Sequence, residues 1–242
     1  MVQAPVPLSH GRYEDKLSSV ARLNGRVFDN DPVIAYMLLD MSREQRLRYL
    51  PSYWYKLARS ALMNDALITE ADGWKAASIV IPPGRDIDNV WTLVYSGFLC
   101  ILWRIGFSGL KRLWTEFSGM TDNAKRKGLG GQKRYYYVFS IGTEYEHRGK
   151  GLAKAIMHYH QEVAQAENLP IWLEATTESS RLLYLSMDFQ EVEELSLGKG
   201  KVAADATIQP GGPGVTLYAM VWWPKSSDRG SEPVQAADTT SS

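Results

Sequence analysis

One cysteine, Cys100, is all that the 242 residues contain, and no Asn-x-Ser/Thr triplet occurs. A lone thiol cannot close an intramolecular disulfide, so the sequence carries no mark of an oxidising compartment. Excess charge is missing too. The 27 Lys and Arg balance 27 Asp and Glu, which removes the bulk field expected of a nucleic-acid binder or of a protein drawn to an anionic membrane. Residues 1–16 lack a basic start followed by an apolar run, so they do not read as a secretory leader. The strongly apolar run from Leu93 to Trp103 stops at Arg104, short of the roughly 20 residues that span a bilayer. No repeat of solenoid period is present. These absences favour a cytoplasmic protein, with the nucleus open, and a small partner rather than a nucleic acid.

The composition is that of a chain able to build a full core: 45% of its residues are hydrophobic. The sequence predicts a single domain over residues 9–224, with loose tails at 1–8 and 225–242, the first Pro-rich and the second dominated by Ser, Thr, Asp, Gly and Ala. A short entry strand is expected around Gly11-Arg12-Tyr13, then an amphipathic helix from Asp15, its cap, to Val27. A turn at Asn30-Asp31-Pro32 leads to the apolar segment Val33 to Leu39, and a long helix runs from Ser42 to Met63. Ala66 to Thr69 and Trp74 to Ile81 read as a hairpin around Asp72-Gly73. Residues 86–130 read as a helical insertion, with two helices joined near Ser108-Gly109. Tyr135 to Ile141 has the unbroken β-branched and aromatic character of a strand covered on both faces. From Gly151 to Glu167, Leu152, Ile156, Tyr159, Val163 and Ala166 step along one side of a helix. Strands at Ile171 to Ala175, Phe189 to Leu195 and Val215 to Trp223, and a short helix from Ser179 to Ser186, complete the reading.

The chemistry concentrates where the strand ending at Gly142-Thr143 gives way to Arg148-Gly149-Lys150-Gly151-Leu152-Ala153 and a helix. The first turn of a helix leaves N–H groups unpaired and adds the favourable end of its dipole, so strand, glycine turn and helix in succession form an anion site. Glycine at 149 and 151 lets a phosphate approach the backbone closely. A P-loop requires G-x-x-x-x-G-K-[ST], and Glu144 stands where its first glycine belongs. A dinucleotide fingerprint requires G-x-G-x-x-G, and Lys154 occupies the third glycine position. Both fail.

The segment resembles the pyrophosphate loop Q/R-x-x-G-x-G/A of the GNAT superfamily of acyl-CoA-dependent N-acyltransferases. The resemblance extends upstream to Ile141-Gly142-Thr143 and downstream through Leu173-Glu174-Ala175 to Tyr184-Leu185-Ser186-Met187-Asp188-Phe189, similar to the family's Y-x-x-x-G-F. Its closest flavour is the small-molecule, puromycin-acetyltransferase-like branch. Three positions depart from the pattern: Thr177 for a frequent Asn, Asp188 for Gly and Tyr145 for Pro.

The resemblance implies an α/β (α+β) fold with a central, mixed, mostly antiparallel twisted sheet of about seven strands flanked by helices. It implies acetyl-CoA or another short acyl-CoA as co-substrate, with no metal, held by Ile141, Gly142, Thr143, Arg148, Gly149, Lys150, Gly151, Leu152, Ala153 and Thr177. The acceptor is expected to be the primary amine of a small molecule of antibiotic, toxin, amino acid or polyamine type. Tyr184 is the candidate proton donor to the leaving thiolate. Glu174 is the candidate general base or ammonium anchor, with Glu144, Glu146 and water as rivals. The stretch between Asn30 and Leu39 is the other expected acceptor wall, with Asp29 and Asp31 available to attract a cation. A protein acetyltransferase and a non-catalytic acyl-CoA-binding protein are the alternatives. His158 and His160, two apart on a helix, share no face and do not suggest a metal site. The segment 91–114 reads as a pocket cap or core packing ahead of a peripheral membrane contact, and monomer and homodimer both stay open.

Overall fold

The computed structural model describes residues 6–11, 16–85, 101, 103, 104, 106, 109 and 112–225. The expected cap Asp15, the thiol of Cys100, most of the run from Leu93 to Trp103 and the join at Ser108 fall outside them, as do the two chain ends.

Strand β1 (Leu8–Gly11) includes Gly11 of the expected entry strand, whose Arg12 and Tyr13 lie outside the described residues. Helix α1 (Leu17–Val27) buries Leu17, Val20, Leu23 and Val27, spaced as one helical face. The short helix α2 (Pro32–Met37) starts where Asp31 accepts the Ile34 N–H at 3.0 Å, with Pro32 preset for the first turn. Helix α3 (Arg43–Met63) opens with a reciprocal capping box between Ser42 and Gln45. Strands β2 (Leu67–Ala71) and β3 (Ala76–Ile81) form the hairpin, whose turn puts Asp72, Gly73 and Trp74 at positive φ. Within the insertion a π-helical stretch (Arg112–Ser118) runs into α4 (Gly119–Leu129), which stops at left-handed Gly130.

Strand β4 (Tyr136–Thr143), a 3-10 turn (Tyr145–His147), α5 (Leu152–Glu167), β5 (Ile171–Ala175), α6 (Glu178–Leu185), β6 (Gln190–Leu197) and β7 (Val215–Trp222) follow. The seven strands order as β1-β2-β3-β4-β5-β7-β6, with every neighbouring pair antiparallel except β4 and β5. Helices α1 to α4 cover one face, around Trp54, Ile68, Ile79 and Trp172. Helices α5 and α6 cover the other, around Met157, Leu173, Tyr184 and Phe189. Among the described residues no helix is long and apolar enough to cross a membrane.

Two expectations need correction. The buried stripe of α5 is Leu152, Ile156, Met157, His160, Gln161 and Ala164, while Ala166 is exposed. Two polar residues occupy it because each has a partner: His160 Nε2 meets Ser78 Oγ at 2.8 Å, and Gln161 donates to the Met187 carbonyl at 2.7 Å. Strand β4 is also not covered throughout, since only Val138 and Ser140 are fully buried.

Candidate active site

The partial exposure of β4 follows from its pairing. It meets β5 at just two positions, Tyr136 with Ile171 and Tyr137 with Trp172, and the two parallel strands then part. Beyond Tyr137 the β4 edge facing β5 has no strand partner, although its other edge stays paired to β3 as far as Thr143. Such an edge presents unpaired N–H and C=O groups along an open cleft at the C-terminal ends of the strands. A bulge sharpens the opening: Ile79 pairs with Ser140 and Val80 with Val138, so Phe139 is an extra residue. Ile141 consequently turns toward α5, while Gly142 turns toward α1, where a Cβ would stand 2.5 Å from Val27 Cγ2. Gly142 is thus required for packing, whatever its backbone contacts. Thr143 ends the strand with a buried Oγ1 that lacks a hydrogen-bond partner among the described residues.

The edge runs directly into the glycine turn. Gly149 has φ +74° and Gly151 has φ +77°, values that favour glycine, and a Cβ on either would meet nothing within 4 Å. The first bond into α5 runs from Ala155 N–H to the Gly151 carbonyl at 2.9 Å, leaving the N–H groups of Leu152, Ala153 and Lys154 without intrahelical partners. No side chain caps this end. Open space, two left-handed glycines and unspent donors at a sixteen-residue helix make a cradle that suits a pyrophosphate. Lys150 and Arg148 are exposed beside it. The Lys150 ammonium lies 3.1 Å from His147 Nδ1, and the Arg148 guanidinium stacks 3.9 Å above the Tyr145 ring while its Nε–H donates to the Thr143 carbonyl.

Glu174 sits on the opposite side of the parting, at the end of β5 and on the face covered by α1 to α4. Tyr137 O–H donates to its Oε2 at 2.8 Å and Trp172 Nε1–H to its Oε1 at 2.7 Å, which fixes the carboxylate in place. The rivals are placed less well. Glu144 is in an ion pair with Arg26 of α1, and Glu146 lies exposed on the 3-10 turn.

Glu174 also forms part of the wall of a cavity of about 150 Å³ between the sheet and α1, α2 and α3. Phe28, Tyr53, Trp54, Tyr137 and Phe139 give it aromatic walls, and Asp31 and Thr176 stand at the wall beside Glu174. The Asp31 carboxylate is buried and takes hydrogen bonds from Thr176 O–H and Ile34 N–H. Burial pushes its carboxyl above the usual carboxylate range, with those hydrogen bonds pulling the other way.

No protein-family model matches the chain. An uncharacterized N-acetyltransferase of Schizosaccharomyces pombe is 24% identical over 177 residues, which is 73% of this chain and 71% of the yeast protein. Among solved structures, arylalkylamine N-acetyltransferase 2 from Aedes aegypti superposes with a TM-score of 0.60 at 14% identity, covering 91% of this chain and 99% of the mosquito chain. A Corynebacterium glutamicum structure described as histone acetyltransferase HPA2 and related acetyltransferase superposes at 0.59 and 14% identity, covering 92% and 98%. The chain has the fold of the GNAT superfamily.

With the GNAT frame in place, the three departures from its sequence pattern have local explanations. Thr177 caps α6: its Oγ1 accepts the Ser180 N–H at 3.2 Å, and the Ser180 hydroxyl returns a bond to the Thr177 carbonyl. Its hydroxyl is therefore engaged in holding the helix. Asp188 has φ +64°, the backbone region for which the GNAT glycine is suited. Tyr145 joins the glycine turn to the segment ahead of α2, since its O–H donates to Asp29 at 2.6 Å while its ring carries Arg148.

Tyr184 lies on α6 on the α5 face, buried with Met187 and Phe189, its ring 5.5 Å from that of Phe189. Burial pushes its phenol well above 10, so it holds its proton. The cluster around it includes Val138 and Ile141 from β4 together with Leu173 and Ala175 from β5, which places Tyr184 beneath the parting of the strands. Sequence reasoning missed Thr176, Tyr137 and Trp172 as partners of the two carboxylates. Only alternation along β5 offered a signal, since it puts Trp172, Glu174 and Thr176 on one face.

Proposed function

We propose that the protein is an acetyltransferase that moves an acetyl group from acetyl-CoA to the primary amine of a small molecule by direct attack in a ternary complex. The observation that carries this reading is the unpaired edge of β4 leading straight into the uncapped, left-handed glycine turn of α5. An extended amide arm fits the first and a pyrophosphate the second, and the buried Thr143 Oγ1 supplies a polar group without a partner between them. Ile141, Gly142 and Thr143 would hold the arm through their backbone. Residues 149–153 would hold the phosphates, with Lys150 and Arg148 at the rim.

Acetyl-CoA supplies an activated acyl group on a thiol leaving group. Glu174 accepts the proton that the amine must lose, directly or through one water, from its fixed position against Tyr137 and Trp172. Tyr184 offers its phenolic O–H to the departing sulfur as hydrogen-bond donor, and burial keeps that phenol protonated. The acceptor enters from the α1–α3 side, where the cavity of Asp31 and Glu174 lies, so acceptor and donor meet through the sheet where it parts. A small amine is favoured over a protein lysine by the small, largely apolar cavity, and the Aedes aegypti neighbour named for arylalkylamines accords with that.

A thiol-release assay with acetyl-CoA and a panel of amines tests the proposal. Tyr184→Phe is expected to lower kcat at least about a hundredfold with CoA affinity unchanged, in line with the usual contribution of a positioned acid. If CoA binds and no amine in a broad panel gives thiol release with the unaltered protein, the transferase reading is wrong.

A further inference from the structure

The acceptor cavity has a chemistry of its own. Among the described residues, its wall carries two charged side chains, Asp31 and Glu174, both carboxylates, and no Lys, Arg or His. The remainder is aromatic or aliphatic apart from Thr176. Glu174 has a donor on each oxygen from neighbours in the sheet, which holds it in one position. Asp31 is different: it stands at the N-terminal end of α2, buried, its carboxyl met by one hydroxyl and by backbone N–H groups but, among the described residues, by no cation, and burial pushes it above the usual carboxylate range. A buried carboxylate without a cationic partner is costly, and an entering ammonium would offset that cost. A second observation points to a ligand in the same place. Trp54 is buried and belongs to the wall, and its indole Nε1–H has no hydrogen-bond partner among the described residues.

We infer that the acceptor is a monoamine with an apolar, ring-sized or short alkyl body, its ammonium received by Asp31 before Glu174 takes the proton, and its body seated among Phe28, Tyr53, Trp54 and Phe139. The inference rests on the acetyltransferase reading and narrows it. A polyamine has further charges that would lie against apolar wall. A free amino acid carries a carboxylate that would face Asp31 and Glu174 without a cation to receive it. An oxygen on the ring or chain would take the Trp54 N–H. In this role Asp31 is a specificity residue that binds the substrate, while the proton transfer stays with Glu174.

The full chain, with acetyl-CoA as donor, is assayed by thiol release against phenylethylamine, its ring-hydroxylated analogue, hexylamine, spermidine, lysine and a lysine-rich histone-tail peptide. Asp31→Asn keeps a side chain that caps helices well while removing the charge. It is expected to raise KM for phenylethylamine between about ten- and a hundredfold, the usual loss for a hydrogen bond to a charged group, with kcat nearly unchanged and KM for acetyl-CoA unaltered. Leu57→Phe narrows the cavity and is expected to shift preference from phenylethylamine toward ethylamine, which checks the assignment should Asp31→Asn fold poorly. Preference for spermidine, lysine or the peptide, or an unchanged amine KM in a folded Asp31→Asn protein, overturns the inference and leaves the acetyltransferase reading standing. Binding of CoA with no turnover of any amine overturns both.

Discussion

Gly151 permits a perturbation whose effects on folding and on ligand binding can be separated. Its φ of +77° falls where a Cβ carries a penalty, yet a Cβ there would meet no atom within 4 Å, so Gly151→Ala has a backbone cost and no packing cost. That cost is roughly 1–2 kcal/mol. For a domain of this size it lowers Tm by about 2–8 °C. Gly211, with φ +76° and equally open surroundings, lies in the loop between β6 and β7 and serves as the control for the backbone term alone. Gly151→Glu adds a negative charge where a pyrophosphate would lie against the N–H groups of residues 152–154. Loss of one hydrogen bond to a charged group costs about 1.5–3 kcal/mol, or roughly a ten- to hundredfold rise in Kd. Isothermal titration of CoA and of pantetheine, which lacks the pyrophosphate, gives the comparison. Gly151→Glu is expected to weaken CoA by at least tenfold and pantetheine hardly at all, whereas Gly211→Ala lowers Tm similarly and changes neither affinity. Wild-type CoA affinity in folded Gly151→Glu would refute the cradle assignment.

Two further outcomes follow from residues away from the chemistry. His160 is buried against Ser78, and burial, with a smaller push from His10, lowers its pKa from 6.5 to about 3. Between those values the unfolded chain binds the proton and the folded one does not, so stability falls as pH drops through that window, by at most about 1.4 kcal/mol per pH unit. Urea unfolding of His160→Gln between pH 4.5 and 7 is expected to show a shallower slope, and an identical slope would sink the assignment. Asp188→Gly relieves a left-handed residue at φ +64°, whose one ion pair among the described residues is a 3.7 Å contact with Lys225 at the exposed surface. Calorimetry is expected to show a gain of up to about 1 kcal/mol, and a fall in Tm would contradict the strain argument.

Much of the frame was legible because its signals are local. Ser42 marked the start of α3, Asn30-Asp31-Pro32 the turn ahead of the segment that forms α2, Asp72-Gly73 the hairpin, and the two glycines the turn before α5. What stayed hidden depends on partners far apart in sequence. His160 and Gln161 look like surface residues until Ser78 and the Met187 carbonyl are brought to them, so the buried face of α5 was misjudged. Glu174 could be singled out, but Tyr137, 37 residues away, could not be named as its donor. The same holds for Thr176 and Asp31, 145 residues apart. The bulge at Phe139 leaves no mark in a run as uniform as Tyr135 to Ile141, because it is defined by the register with β3.

The two-residue contact between β4 and β5 has a mechanical meaning. The sheet amounts to two plates, β1 to β4 and β5 to β7, joined along a seam only two rungs long. Few crosspieces bridge it: the Tyr137–Glu174 bond on one face, the Asp31–Thr176 bond from α2, and on the other face α5, whose Met157 shares a cluster with Val138 of one plate and Leu173 of the other. A molecule laid along the free rim of β4 would act as mortar in that weakest joint. Seating the acyl donor and stiffening the whole sheet would then be a single event.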